Sequence, residues 1–281
     1  LTGSKNAVKG LGFFLGAALL ALAGFEAAVL GLAGGLLAVL VAVAVLMPPG
    51  LPAGRKGARF REVVSKDANV NRLSAARMFL FGARDVWFVV GIPVYFYGVV
   101  SDGTPEGGRA AFFLVGSFMA IWIVFYGAVQ AAAPRLLTSA ATSLSAATRA
   151  ARFWAGVLAL IPAALALCAA VGGAVEPPHW LTGTLTAGLL GFGVVFALNS
   201  ALHSYLILAF TTAERVTMDV GFYYMSNAAG RLLGTLLSGL SYQAGGLALC
   251  LATAAAMAAG SWLCAIPLAR GSVARRSETA G

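Results

Sequence analysis

Charged residues are scarce in this sequence. Only 10% of its 281 residues are Asp, Glu, Lys or Arg, whereas a soluble domain carries about a quarter. Hydrophobic residues make up 60% of the chain. So few charges do not suit a surface that faces water on all sides, and the composition indicates a protein that contacts lipid.

Cysteine and histidine are also few, at three and two residues. Cys168, Cys250 and Cys264 all lie in apolar runs, so no disulfide framework is implied. The last two would be about 21 Å apart along one helix and cannot share a metal ion. No H-E-x-x-H, G-x-S-x-G or G-x-x-x-x-G-K-[ST] motif occurs. We therefore expect no enzyme activity and no cofactor or metal.

Long apolar runs dominate what remains. Runs of roughly 20 apolar residues identify membrane-spanning helices, because a helix satisfies its own backbone hydrogen bonds in lipid. Barrel strands would alternate polar and apolar residues, and these runs do not. We predict an all-α polytopic membrane protein with eight spans: 7–25, 27–47, 75–100, 110–133, 153–175, 181–210, 216–241 and 247–268.

The basic residues follow the topology that these spans imply. If every run crosses, the loops on one side hold 15 of the 19 basic residues, and those on the other side hold Arg109 alone. An excess of Lys and Arg marks cytoplasmic loops. We therefore place both ends of this chain in the cytoplasm and expect a multi-pass protein of the inner (plasma) membrane. The net charge of +9 then needs no nucleic-acid partner.

A long basic loop divides the chain unequally. We predict two helices closing one half over 1–47, a cytoplasmic loop over 48–74, a six-helix half over 75–268 and a cytoplasmic tail over 269–281. A loop of this kind before a six-span block is typical of a twelve-span transporter. The sequence begins at Leu1 and reads as a fragment that lacks four earlier spans.

The third span places two adjacent charges, Arg84 and Asp85, in apolar surroundings. A charge at mid-membrane costs about 2.5–3.5 kcal/mol and is expected to face a partner or a watery cavity. For Arg84 we consider a substrate contact or a structural ion pair. Asp85 lies about 100° around the helix from Arg84, so it pairs with a different helix or carries a coupling proton. We expect Arg77, near the cytoplasmic end, to snorkel to the interface.

The seventh span carries a polar stripe at helical spacing: Tyr223, Asn227, Arg231, Thr235 and Ser238. Such a face typically lines a cavity, although helix–helix contact is the alternative. Arg231 lies at mid-span and needs an acid or an anionic ligand. The spacing Gly230-x-x-x-Gly234 favours close helix packing.

The sixth span offers Asn199 and His203 at i and i+4. His203 could relay protons near neutral pH, or serve only as a hydrogen-bonding group. Gln130 in the fourth span is a weaker cavity candidate. Embedded Arg outnumbers embedded acid three to one, which favours a small anionic substrate, because Arg binds phosphate and carboxylate through its planar fork.

Three stretches carry a family resemblance: SKNAVKGLGFFLGA (4–17), FLFGARDVWFVVGIP (79–93) and VTMDVGFYYMSNAAGRLLGTLLSGLSYQ (216–243). They resemble the ArsJ family of arsenic-resistance permeases in the major facilitator superfamily. The resemblance implies the twelve-helix fold of that superfamily, of which this chain would cover the last eight helices.

The resemblance also implies a function. The family exports 1-arseno-3-phosphoglycerate, which glyceraldehyde-3-phosphate dehydrogenase makes when it uses arsenate in place of phosphate. A functional partnership with that dehydrogenase is therefore expected, and the outcome is arsenate resistance. No site assignment carries over from the family. The expected substrate-binding residues, Arg84, Arg231, Asn227, Tyr223 and Asn199, and the expected coupling or structural charges, Asp85 and His203, come from the residue pattern.

Two other functions fit the same sequence. A generic major facilitator exporter of drugs, sugars or other organic anions would use the same helices. A non-transporting scaffold or intramembrane enzyme is the third alternative, and the polar face of the seventh span argues against a plain scaffold.

Overall fold

The computed structural model of the chain describes residues 2–47, 64–172 and 178–268. Within these ranges the protein is all-helical, without a strand. A π-helical turn spans Trp87–Gly91, and a short 3-10 helix spans Ala140–Thr142. The α-helices are α1 (Thr2–Leu46), α2 (Ala68–Val86), α3 (Ile92–Val100), α4 (Pro105–Leu136), α5 (Leu144–Gly172), α6 (His179–Phe210) and α7 (Val216–Ala265).

Six helical stretches in the described ranges are long and apolar enough to cross a membrane, as expected of a multi-pass membrane protein. Sequence patterning predicted eight spans rather than six. The difference lies in α1 and α7, each of which the backbone breaks internally. The breaks fall at Gly24 (φ 79°, ψ 173°), next to the end of the run 7–25, and at Gly245 and Gly246 (φ 60° at the second), in the gap between the runs 216–241 and 247–268.

The contacts of α7 show that its two arms run in opposite directions along α2. In the first arm, Gly230 lies against Met78 and Gly234 against Gly82, so both numbers rise together. In the second arm, Met257 lies against Gly82, and Ser261 donates to the carbonyl of Ala76 at 2.8 Å. The chain therefore turns back at Gly245–Gly246, and the two arms are separate helical segments that run antiparallel to each other.

The first arm of α1 packs antiparallel on α4. Gly10 lies against Val124 and Ala17 against Gly116, so one number falls as the other rises. In the second arm, from Phe25 onward, all side chains but that of Ala28 are exposed. This apolar surface suits contact with lipid, because hydrocarbon chains solvate such side chains as well as a protein core does.

Helix α2 begins earlier than the apolar run that predicted it. Asp67 caps its N-terminus by accepting a hydrogen bond from the amide of Asn69 at 2.7 Å. Residues 68–74 are therefore helical, although the sequence placed them in the loop 48–74. The rest of that loop up to 63, and the tail 269–281, lie outside the described residues.

An aromatic core joins α2, α4 and α6 at the level of the π-helical turn. Trp87 is fully buried, with ring centroids 5.1 Å from Trp122 and 5.4 Å from Phe192. Trp122 donates its indole N–H to the carbonyl of Leu189 at 2.8 Å. This core packs the π-helical turn that follows α2 against α4 and α6, and thereby helps to position the charged residues described next.

Candidate functional site

Glycines set the distance between α2 and α7. A Cβ atom on Gly234 would lie 2.6 Å from the carbonyl oxygen of Gly82, and one on Gly230 would overlap the backbone of Met78. The two helices therefore touch backbone to backbone, as the Gly230-x-x-x-Gly234 spacing predicted. Arg231 lies between these glycines, so the close approach carries its side chain to α2.

Three charges meet where the helices touch. Asp85 accepts a hydrogen bond from Arg84 Nε at 2.6 Å through one carboxylate oxygen, and from Arg231 Nε at 3.0 Å through the other. Asp85 thus bridges two helices and two cations, and we name these three residues the charge triad. The triad carries a net charge of +1 when all three groups are ionised.

The three members differ in exposure. The side chains of Arg84 and Asp85 are 10% and 3% exposed, whereas that of Arg231 is 56% exposed. A buried guanidinium needs compensation, and aromatic rings supply part of it here. The Arg84 guanidinium carbon lies 5.0 Å from the ring centroid of Phe81 and 5.5 Å from that of Phe196, within the range of cation–π attraction.

A cavity of about 210 Å³ opens beside the triad. The triad forms its charged wall, and aromatic and aliphatic side chains from α1, the π-helical turn and α4 form the rest. Arg84 and Arg231 therefore face a space as well as an acid, and a ligand in that space would meet both guanidinium groups. The remaining lining residues are Phe13, Phe88, Val89, Trp122, Ile123 and Tyr126.

The π-helical turn follows the triad directly and is held by both arms of α7. The amide of Val90 donates to Ser238 Oγ at 3.1 Å, and the thiol of Cys250 donates to the carbonyl of Val86 at 3.1 Å. In a regular α-helix that amide and that carbonyl would pair with each other. In the π-helical turn they do not, and side chains of α7 supply a hydrogen-bond partner to each group instead.

Arg77 does not snorkel, which corrects the expectation from its place near the helix end. It is 5% exposed and donates from one terminal nitrogen to the carbonyl of Ser200 at 3.2 Å and to its hydroxyl at 2.9 Å. Its guanidinium carbon lies 4.1 Å from the Phe81 ring and 4.8 Å from the Tyr223 ring. Burial depends on α6 and α7, which the sequence of α2 alone could not show.

Helix α6 contributes a buried polar face beside Arg77. Asn199, Ser200 and His203 have no solvent exposure. Gln130 of α4 donates to Ser200 Oγ at 3.1 Å, so its side chain reaches the same group. Within the described residues, neither the amide of Asn199 nor the two ring nitrogens of His203 have a hydrogen-bond partner.

The predicted polar stripe of α7 does not act as one surface. Tyr223 and Ser238 are buried against α2 and the π-helical turn, Asn227 is half-buried, and Arg231 and Thr235 are exposed. The structure therefore separates the predicted site residues. Arg84, Asp85 and Arg231 form the charge triad, and Tyr223 and His203 lie near Arg77. Asn199 precedes Ser200 on the buried part of α6, and Asn227 lies between Tyr223 and Arg231 along α7.

Sequence reasoning went wrong on one contact and missed one residue. The sequence predicted that Asp85 pairs with a different helix or carries a coupling proton, and that it does not face Arg84. Arg231 on α7 is one partner, but Arg84 on the same helix is a second one. Asp219 was missed as an embedded acid. It is 2% exposed, pairs with Arg215 at 3.6 Å and accepts from the Thr211 hydroxyl at 2.8 Å, and the Arg–Asp spacing of four residues was the available signal.

The described residues contain no cluster of three or more His, Cys, Asp or Glu side chains that could hold a metal ion. Comparison with family models, with curated proteins and with solved structures finds no match. Functional assignment therefore depends on the chemistry of the site itself.

Proposed function

We propose that the protein is a secondary active transporter that exports a small anionic organoarsenical, 1-arseno-3-phosphoglycerate, and so confers arsenate resistance. The observation that carries the proposal is the charge triad. Two arginines on two different helices share one carboxylate beside a cavity, at a depth where an unneutralised charge is costly. A site with excess positive charge, in which Arg84 and Asp85 are buried, suits an anion.

The geometry supports a doubly acidic ligand in particular. Arg84 and Arg231 already lie within hydrogen-bonding distance of one carboxylate, so a phosphate or arsenate oxygen entering the cavity could take the place of either Asp85 contact. Asp85 keeps the two guanidinium groups oriented when the site is empty. Exchange of Asp85 for the ligand would link occupancy to the contact between α2 and α7.

The cavity size favours a small substrate. Its volume of about 210 Å³ is below the range of about 300–1,000 Å³ that is typical of sites for drug-sized ligands. The second candidate function, a generic exporter of drugs, sugars or other organic anions, is favoured by a different feature. Phe13, Phe88, Trp122 and Tyr126 give the cavity a largely aromatic wall, which would suit a more lipophilic ligand.

The wider assignment follows from the family resemblance. It comprises the major facilitator fold and a substrate supplied by glyceraldehyde-3-phosphate dehydrogenase. The protein would lie in the inner (plasma) membrane, with its basic loops facing the cytoplasm. Asp85 and His203 are the proposed coupling or structural charges, with Asn227, Tyr223 and Asn199 as further contacts along the path.

The test uses the full-length protein in arsenic-sensitive cells. Growth is measured on arsenate and on arsenite, with and without the dehydrogenase. We expect resistance to arsenate alone, and only when the dehydrogenase is present, because the exported species must first be made. Arg84→Gln and Arg231→Gln are each expected to abolish it.

Arg109→Gln is the matched control. The side chain of Arg109 is 59% exposed, close to the 56% of Arg231, but it pairs with exposed Glu106 far from the triad. Resistance must survive this substitution. Absence of any arsenate phenotype despite confirmed membrane expression would overturn the assigned substrate, and efflux of lipophilic cations would favour the second candidate.

A further inference from the structure

Arg77 is a buried cation with no counter-ion among the residues that the structure describes. Four charged side chains are buried in the described part of the chain: Arg77, Arg84, Asp85 and Asp219. The last three take part in ion pairs at 3.6 Å or less, and Arg77 forms none there. Its known hydrogen bonds go to neutral oxygens of Ser200. An ionisable residue that is embedded in the membrane without a counter-ion is by default a candidate functional residue.

Unused hydrogen-bonding groups lie on Arg77 itself and on the part of α6 that it contacts. The Nε atom of Arg77 has no acceptor among the described residues, although it is buried. His203 lies about one turn beyond Ser200 on α6 and within electrostatic range of Arg77. Neither of its ring nitrogens has a hydrogen-bond partner among the described residues. Asn199, next to Ser200, likewise has both amide atoms unpaired there. Buried polar groups are normally paired, so several together in one place call for a ligand.

The available groups are donors that suit an oxyanion. The guanidinium offers its Nε–H and remaining terminal N–H groups, the amide of Asn199 offers an NH₂, and neutral imidazole offers one N–H. The described residues place no carboxylate beside them in an ion pair. A donor-rich site with one fixed positive charge fits a phosphate or carboxylate group and repels a cation.

The position of Arg77 relates this cluster to the charge triad. Arg77 and Arg84 are two turns apart on α2, which corresponds to about 10 Å along the helix axis. The ring of Phe81 lies between them in sequence, 4.1 Å from the guanidinium carbon of Arg77 and 5.0 Å from that of Arg84. Both cations therefore lie against one aromatic ring, which is 8% exposed.

We propose that Arg77, together with Ser200, His203 and Asn199, forms a second oxyanion-binding site, separate from the charge triad and divided from it by Phe81. Arg77 lies nearer the end of the bundle that carries the basic loops, so this site receives the anionic group first and the triad receives it next. The sequence of the two steps rests on the proposed export function. Binding at Arg77 does not, since it requires no transport.

The experiment measures binding of inorganic phosphate to the purified full-length protein in nanodiscs. Thermal unfolding is followed by the fluorescence of buried Trp87 and Trp122, in phosphate and in chloride at equal ionic strength. A ligand that binds only the folded state raises the unfolding temperature with its concentration. We expect such a rise for the wild type in phosphate and none in chloride.

Arg77→Met separates a ligand site from a structural role. Methionine keeps an unbranched apolar stem but has no charge, so the folded state loses an unpaired buried cation. We expect the unfolding temperature without phosphate to stay the same or rise. Both proteins carry Arg231→Gln in this comparison, so that the triad does not contribute to the phosphate response. The phosphate concentration for half of the effect should then increase by about ten- to hundredfold on loss of Arg77, as loss of charged hydrogen bonds predicts. Arg72→Met on the exposed side of the same helix is the control and should change neither quantity.

Two results would overturn the inference. One is a phosphate-dependent rise in Arg77→Met equal to that of the protein that keeps Arg77. The other is an unfolding temperature lowered by Arg77→Met with the phosphate response intact, which is the mark of a structural arginine. If Arg77→Met does not fold, Arg77→Lys keeps the charge without the planar fork. It should retain a weakened response, and an unchanged response contradicts the proposal. Arsenate growth tests stay independent of these outcomes.

Discussion

Substitution of Asp85 by Asn tests the charge triad most severely. It removes the carboxylate that Arg84 and Arg231 share and leaves Arg84, whose side chain is 10% exposed, without an acid. At a separation of about 4 Å and an effective dielectric constant of about 20, the attraction of two unit charges is about 4 kcal/mol. Loss of one partner of a buried pair typically costs about 3–5 kcal/mol. We expect Asp85→Asn to lower the free energy of unfolding by that amount.

Substitution of Arg84 or Arg231 should lower the free energy of unfolding by less than Asp85→Asn does. The side chain of Arg231 is 56% exposed, so solvent screens its pair with Asp85, and Arg231→Gln should cost about 1 kcal/mol or less. Arg84→Gln removes a buried cation but leaves Asp85 bonded to Arg231, which gives an expected cost of about 2 kcal/mol. The double variant Asp85→Asn/Arg84→Gln should cost less than the sum of the two single changes, because no unpaired cation remains buried.

Reversible unfolding of the purified protein in mixed detergent micelles measures these differences, with the fluorescence of Trp87 and Trp122 as the signal. Arg109→Gln is again the matched control, because both side chains of its pair with Glu106 are more than half exposed. It should change stability by less than about 1 kcal/mol. The reasoning is refuted if Asp85→Asn destabilises no more than Arg231→Gln does, or if the effects of Asp85→Asn and Arg84→Gln simply add.

Three further predictions concern backbone and capping. Gly234→Leu places a side chain against the Gly82 carbonyl, 2.6 Å from where its Cβ would lie, so it should separate α2 from α7 and abolish transport while Gly246→Ala does not. Gly246→Ala should instead cost about 1–3 kcal/mol of unfolding free energy, because its φ of 60° with ψ of −155° is a glycine conformation. The side-chain hydrogen bond from Thr104 holds the pKa of Asp102 below its usual range, so Thr104→Val should raise that pKa in a carboxyl titration. Because the folded-state pKa is lowered, this bond stabilises fully above the unfolded-state pKa and is lost as pH falls through the folded-state value.

The membrane-spanning helices could be predicted because lipid imposes a simple rule on sequence. A span must be long and apolar, and the eight apolar runs match the helices once the breaks at Gly24 and at Gly245–Gly246 are counted. The start of α2 was misplaced, because residues 68–74 are polar. A cap at Asp67 and burial against neighbouring helices stabilise them as helix, and hydropathy registers neither.

The site was only partly predictable. Embedded Arg84, Asp85 and Arg231 stood out because each charge is costly in lipid, and their helical spacing indicated an inward face. Which cation pairs with which acid depended on features outside that pattern: the backbone contact at Gly234 and the reach of a long guanidinium side chain. The burial of Arg77 depended on Ser200, 123 positions away along the chain, and no local pattern reports such a contact.

The most direct test of the account is arsenic uptake into everted membrane vesicles that contain the full-length protein. Vesicles receive arsenate with glyceraldehyde-3-phosphate, NAD and the dehydrogenase, or with any one of these left out. The account predicts uptake only with the complete mixture, and its loss in Arg84→Gln and Arg231→Gln but not in Arg109→Gln. Uptake of arsenate without the dehydrogenase, or uptake that survives loss of both triad arginines, would contradict it.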